Sequence, residues 1–315
     1  MMGKVAFLFP GQGSQYPGMG KETYDAFSCA RLAFIEADET LGFPLSELCF
    51  QGPADALKLT QNTQPAILTV SVAILSILQE RGFLPDYVAG HSLGEYSALV
   101  CSRSLSFRDA VRAVRKRGKY MQEAVPVDRG AMAAILGLDA KSVCEACVAA
   151  SKAGIVAPAN FNAPDQTVIA GEAEAVLCAS EIAKAKGAKR IMPLPVSAPF
   201  HCDLMAPARE RLAGDLEVLK FHDLAMPLIT NVDAAEVLKG SVARDSLIRQ
   251  VCKPVRWVES IQYLVGHGVD KFVEIGPGKV LCGLVKKIAP SVLTYSVEGI
   301  RGIEALASAV SGAKM

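Results

Sequence analysis

The 315-residue sequence has almost no net charge: 33 basic and 32 acidic side chains leave it at +1 at pH 7. Basic residues scattered among nearly as many acids create no global field, so neither nucleic acid nor a membrane surface is an expected partner. No run is long enough to span a bilayer, which takes about 20 apolar residues. The nearest approach, PAILTVSVAILSIL at 65–78, is short, is interrupted by threonine and serine, and reads as a core helix. The five-residue apolar run near the start, within MMGKVAFLFPGQG, is too short for a signal sequence. A soluble, cytoplasmic protein is expected. Cysteines are present, but nine of them at irregular spacing make no disulfide framework. The one CxxC, Cys144 to Cys147, has no second pair to complete a zinc site. No metal is expected, and the thiols suit a reducing compartment. The glycine-rich loop FPGQGSQYPGMGK fails both nucleotide tests. Met19 follows Gly18 where a phosphate-binding lysine would stand, and Tyr16 replaces the third glycine of a dinucleotide loop. Repeats and low-complexity linkers are also missing.

What is present is a globular chain, 51% apolar and 21% charged, long enough for a large α/β domain and a small second one. Strands are expected at KVAFLF (4–9), DYVAG (86–90), MPLITN (226–231) and KFVEIG (271–276), alternating with helices that include one over about 107–124. That alternation predicts a largely parallel sheet covered on both faces. Residues 130–196 follow another order. The segments GAMAAILGL, IVAPANFN, QTVIAG and KRIMPLPV read as strands, with helices after the first and third. The order βαββαβ is the ferredoxin-like unit. It predicts a small domain at 128–197 inserted into a core made of 1–127 and 198–315.

Ser92 lies in Gly90-His91-Ser92-Leu93-Gly94, between an apolar strand and a helical pattern. Strand, Gly-x-Ser-x-Gly and helix together form the setting of a nucleophile elbow. The helix N-terminus behind the serine offers free N–H groups to a developing oxyanion, and the loop at Gly11–Gly13 could offer a second donor. A serine nucleophile needs a base. Of four histidines, His91 is adjacent and should diverge, while His222 and His267 sit among exposed-looking polar residues. His201, in PVSAPFHCDLM, follows a strand and precedes a helix, and is the best candidate. No acidic partner for it can be chosen.

Winding 107–125 at 100° per residue puts Arg117 in the middle of an arc of Ala110, Ala113, Val114, Met121, Ala124 and Val125. A buried guanidinium cannot shed its proton, so it has either a structural carboxylate partner or an anionic ligand. The pattern leaves both open.

FPGQGSQ, TQPAI (63–67), GHSLGEYSAL, RGKYMQEAVP, NFNAP, QTVIAG, PFHCDLM and EIGPGKVL occur in one order across the whole chain. Together they closely resemble the bacterial malonyl-CoA:acyl carrier protein transacylases. The resemblance implies an α/β-hydrolase-like core around the ferredoxin-like insert. It implies ping-pong transfer of malonyl from malonyl-CoA to acyl carrier protein for fatty acid synthesis, by a monomer needing no cofactor. Ser92 would be the nucleophile and His201 the base, oriented by a backbone carbonyl near Gln250. Backbone N–H groups of Gln12 and Leu93 would form the oxyanion hole, and Arg117 would bind the malonyl carboxylate. Gln64, Met121, Asn162, Phe200 and Gln250 would complete the substrate site. Leu93 and Phe200 look like those of malonyl-selective rather than methylmalonyl-selective members. The rival readings are a serine thioesterase or hydrolase with the same elbow, and a silent scaffold that only binds carrier proteins.

Overall fold

The computed structural model describes residues 3–126, 128–196 and 198–312, so the expected boundary positions 127 and 197 lie outside the described residues. Ten strands form among the described residues: β1 (Lys4–Phe9), β2 (Tyr87–Gly90), β3 (Gly130–Leu136), β4 (Val156–Ala163), β5 (Gln166–Glu172), β6 (Arg190–Pro193), β7 (Leu228–Ile229), β8 (Glu236–Val237), β9 (Val269–Ile275) and β10 (Leu293–Val297). Six of them make one sheet in the order β10-β9-β1-β2-β7-β8, parallel throughout except for the edge strand β8. β2 is buried along its whole length and β1 from Ala6 to Phe9, because helices cover both faces. On one face Phe7, Phe9 and Val88 join the helices Ser28–Leu41, Thr60–Glu80 and Phe107–Glu123. On the other, Ala6, Leu8 and Ala89 pack on Trp257, Ile261 and Leu284.

The helix Thr60–Glu80 passes the length and composition test for a membrane span, but 89% of that window is buried inside the protein. It is a core helix. The strand expected at 226–231 shrinks to β7. Pro227 has no N–H to give to the ladder, and its carbonyl accepts instead from Val88 N–H at 2.9 Å.

The remaining strands form an antiparallel sheet, β4-β5-β3-β6, with the helices Ala140–Ala150 and Ala173–Ala185 on one face. Relabelled by position within this unit the order is 2-3-1-4, the ferredoxin-like arrangement. Pro158 is tolerated because β4 is an edge strand. Alternation along β3 explains how the two units meet. Ala133 and Ile135 face the small sheet's own helices, while Met132 and Ala134 join the larger core.

Candidate active site

Phe9 and Gly90 are register partners, so the loops after β1 and β2 leave the same edge side by side. The first carries Gln12 and the second Ser92. Ala89 pairs with Ile229, and the chain leaving β7 brings Asn231 to the other side of Ser92. The site therefore stands at the carboxyl ends of adjacent parallel strands, where open α/β sheets hold their ligands.

The turn at Ser92 is sharp and strained. Its φ is 52°, in the left-handed region that non-glycine residues avoid. The flanking glycines make it possible. A Cβ on Gly90 would lie 2.0 Å from the Gly94 carbonyl group, and one on Gly94 would lie 2.0 Å from the Phe9 oxygen. The helix Gly94–Cys101 begins directly behind. Asn231 clamps the turn: its Oδ1 accepts from Ser92 N–H at 2.7 Å and its Nδ2 donates to the Gly90 carbonyl at 2.6 Å.

His201 also has a left-handed backbone, φ 61°. Its Nδ1 lies 2.8 Å from the Gln250 carbonyl and its Nε2 lies 2.8 Å from Ser92 Oγ. A carbonyl can only accept, so Nδ1 carries the proton and Nε2 is free to accept from the serine. Burial, with Arg117 beside it, holds the imidazole pKa down at about 3, so the ring is neutral at ordinary pH.

Arg117 is 1% exposed. Nη1 donates to Gln64 Oε1 at 2.8 Å, and Nη2 donates to Gln250 Oε1 at 2.9 Å and to Ser92 Oγ at 3.1 Å. All three partners are neutral. Of the two possibilities the sequence left open, a direct structural salt bridge is not what is found. A guanidinium has five N–H donors; three are used, and Nε is buried with no partner among the described residues. The side chain has capacity left for an anion.

Gln12, Gln64, Leu93, Met121 and Phe200 line one cavity with Ser92, Arg117 and His201, and His91, Met132, Asn160, Leu194 and Val196 complete its wall. Asn162 is not among them. Its Oδ1 accepts from His91 Nε2–H at 2.8 Å, and it lines a neighbouring cleft with Gly11 and Gln166. Gln250 does not line the cavity either; it lies behind it, fully buried, and touches Arg117 and the Ser92 backbone. His222 and His267 are exposed, away from the serine. Among the described residues no group of three or more His, Cys, Asp or Glu could hold a metal ion.

A nucleophile, a neutral base and a buried cation on one serine hydroxyl suit acyl transfer. Residues 6–303 match the family model of the acyl transferase domain. The chain belongs to the acyl transferase family. It is 52% identical over 304 residues, 96% of each chain, to the malonyl CoA-acyl carrier protein transacylase of Bacillus subtilis strain 168. Among solved structures it is similar to an acyl carrier protein S-malonyltransferase from Vibrio cholerae, with 44% identity, TM-score 0.94, and coverage of 96% of this chain and 99% of that one. It is also similar to a malonyl-transacylase solved in complex with a type II polyketide synthase acyl carrier protein, with 46% identity, TM-score 0.94, and coverage of 96% and 98%.

Two parts of this acyltransferase site escape a reading of the sequence. Asn231 sits in ITNVDA with nothing to mark it, and Glu95 looks like a surface acid on the helix after the serine. Both are fully buried. Glu95 Oε2 accepts from Asn231 N–H at 3.0 Å and from Gln250 Nε2 at 2.8 Å, and burial raises its pKa to about 7 against those bonds and the Arg117 charge. A glutamate three residues after a nucleophile is the only sequence signal available.

Proposed function

We propose that this acyltransferase moves the malonyl group from malonyl-CoA to the thiol of acyl carrier protein through a malonyl ester on Ser92. The observation that carries the reading is the position of Ser92 Oγ, 2.8 Å from a neutral His201 Nε2 and 3.1 Å from Arg117 Nη2. The names of the relatives, and the carrier-protein complex of one of them, support malonyl as the group and the carrier as acceptor.

Ser92 Oγ attacks the thioester carbonyl while its proton passes to His201 Nε2. Backbone N–H groups of Gln12, on the loop after β1, and of Leu93, next to the serine on its own turn, stabilise the oxyanion. The carbon–sulfur bond breaks and coenzyme A leaves as a thiol, taking the proton from His201. The carrier thiol then gives its proton to His201, its sulfur attacks the ester, and Ser92 regains its proton. Every step balances with these residues and the two thiols, so no cofactor enters the scheme. The Gln250 carbonyl keeps the imidazole in the tautomer that both halves need.

Arg117 receives the malonyl carboxylate. The same contact works on the base. Arg117 is one of the charges that hold the His201 pKa low. A carboxylate on the guanidinium offsets that charge, so the imidazolium forms more readily when malonyl is bound than when acetyl is. Gln64 and Met121, themselves in contact at 3.9 Å through the sulfur, and Phe200 shape the acyl pocket beside Leu93. We read the chain as a core of 1–127 and 198–315 with an insert at 128–197, and the protein as a cytoplasmic monomer. The buried long helix and the nine free thiols are consistent with that location.

Turnover of malonyl-CoA measured with and without carrier protein tests the assignment. Transfer predicts coenzyme A release that depends on the carrier and malonyl that accumulates on it. Equal release without carrier would make the protein a hydrolase.

A further inference from the structure

The side chain of Gln250 is a buried primary amide, and such a group can present either end to a neighbour. Its Nε2 faces three acceptors: Glu95 Oε2 at 2.8 Å, the Ser92 carbonyl at 3.1 Å and Asn231 Oδ1 at 3.3 Å. Its Oε1 accepts from Arg117 Nη2 at 2.9 Å. Turned over, the amide would set NH2 against guanidinium N–H and oxygen against carboxylate, two repulsive contacts among buried groups. Glu95 supplies the carboxyl acceptor of the three, and above its pKa of about 7 its hydrogen bond is charge-assisted, a kind about twice as strong as a neutral one.

We propose that Glu95 is a positioning residue of the acyl transfer centre: through the Gln250 amide it fixes the Arg117 guanidinium where it meets the substrate carboxylate. The proposal rests on the role given to Arg117 above. Glu95 lies in the first turn of the helix behind the elbow, so the carboxylate is carried by the same rigid turn as the nucleophile. Its Oε2 also accepts from Asn231 N–H at 3.0 Å, and Asn231 in turn receives Ser92 N–H. A single oxygen therefore sets the amide that faces Arg117 and anchors the residue that clamps Ser92. The other oxygen, Oε1, is buried with no partner among the described residues. A residue serving the fold alone would be better replaced by an apolar side chain of that volume, because buried charges seldom repay their desolvation.

The test compares kcat/KM for malonyl-CoA and acetyl-CoA, with carrier protein as acceptor, in wild type, Glu95→Gln, Gln250→Met, the double variant and Arg117→Ala. Glu95→Gln keeps the volume and removes the charge that pins the amide. Gln250→Met removes the amide and keeps the backbone carbonyl used by His201. Each single change should lower the malonyl-to-acetyl ratio roughly tenfold, and the double variant no further than Gln250→Met, since residues acting through one another are not additive. A purely structural Glu95 would lower both substrates together and leave the ratio unchanged. A Glu95 that merely repels the substrate carboxylate would raise malonyl transfer when its charge is removed. Either result overturns the proposal, as does a double variant whose loss is the product of the two. If melting curves show that Glu95→Gln does not fold, Gln250→Met decides alone, and an unchanged ratio there overturns it. An unchanged ratio in Arg117→Ala identifies the role of Arg117 itself as the failure, and this proposal falls with it.

Discussion

Arg117 Nη2 lies 3.1 Å from Ser92 Oγ, although one residue comes from a helix and the other from the turn after β2, and the guanidinium has no carboxylate among its three hydrogen-bond partners. A permanent cation is thus held, buried, against a hydroxyl. The arrangement makes sense when a substrate brings the missing anion. Arg117→Ala would then leave the malonyl carboxylate buried and unpaired. A loss of about 3–5 kcal/mol corresponds to a fall in malonyl kcat/KM of roughly a hundredfold or more. Acetyl transfer, with no charge to bury, should hold or rise. Steady-state kinetics with both thioesters check this, and an equal loss for both would return Arg117 to a structural role.

Removing the nucleophile and removing the base should differ in degree. Ser92→Ala should abolish transfer, because among the described residues no other hydroxyl shares its contacts with His201 and Arg117. His201→Ala should slow acylation by a factor of roughly a hundred to ten thousand, the range of general acid–base catalysis. Stopped-flow acylation rates separate the two. Transfer by Ser92→Ala at near the wild-type rate would remove the serine from the mechanism.

The pH dependence of stability has a sign fixed by His201. Its pKa falls from 6.5 to about 3 on folding. Between those values the unfolded chain binds a proton that the native chain does not, so this residue destabilises the fold progressively as pH falls below 6.5. Glu95 acts oppositely. Its pKa rises from 4.5 to about 7, so its contribution weakens as pH rises through that window. Comparing wild type with His201→Gln isolates the first effect. The melting temperature of wild type relative to the variant should rise with pH from about 4 to 6.5 and level off above. A flat difference would mean that His201 is not buried in its neutral form.

Gly94 is required by contact rather than by flexibility. A Cβ there would lie 2.0 Å from the Phe9 carbonyl oxygen, which is backbone and cannot swing aside. Gly94→Ala should therefore push the elbow away from β1 at a cost of about 1–3 kcal/mol, typical of overpacking. Thermal melts should show the loss, and acylation should slow because Ser92 moves relative to Gln12. An unchanged melting temperature would contradict the close packing.

Features legible in the sequence were those with a local signature. The elbow declares itself because a strand, two spaced glycines and a helix each leave a pattern. Arg117 declares itself because a single charge interrupts an apolar helical arc. His201 is marked only by its place between a strand and a helix and by elimination among four histidines. Glu95, Asn231 and the Gln250 side chain left no comparable trace, because their importance lies in contacts across 19 to 158 positions of chain. A polar residue on a short helix or in a loop looks the same whether it faces water or another buried amide. The edge strands β8 and β10 leave no sequence signature for a related reason. Glu236–Val237 is too short for alternation to appear, and the partly exposed Leu293–Val297 lacks the continuous apolar run of the central strands.

Mass spectrometry of the protein after mixing with malonyl-CoA tests the central claim most directly. The account predicts a malonyl adduct, mapped by peptide digestion to Ser92, that forms before any carrier protein is present. Adding the carrier should clear the adduct from Ser92 and transfer the same mass to the carrier's thiol. No adduct, an adduct on another residue, or an adduct on Ser92 that decays at the same rate with and without carrier would contradict it.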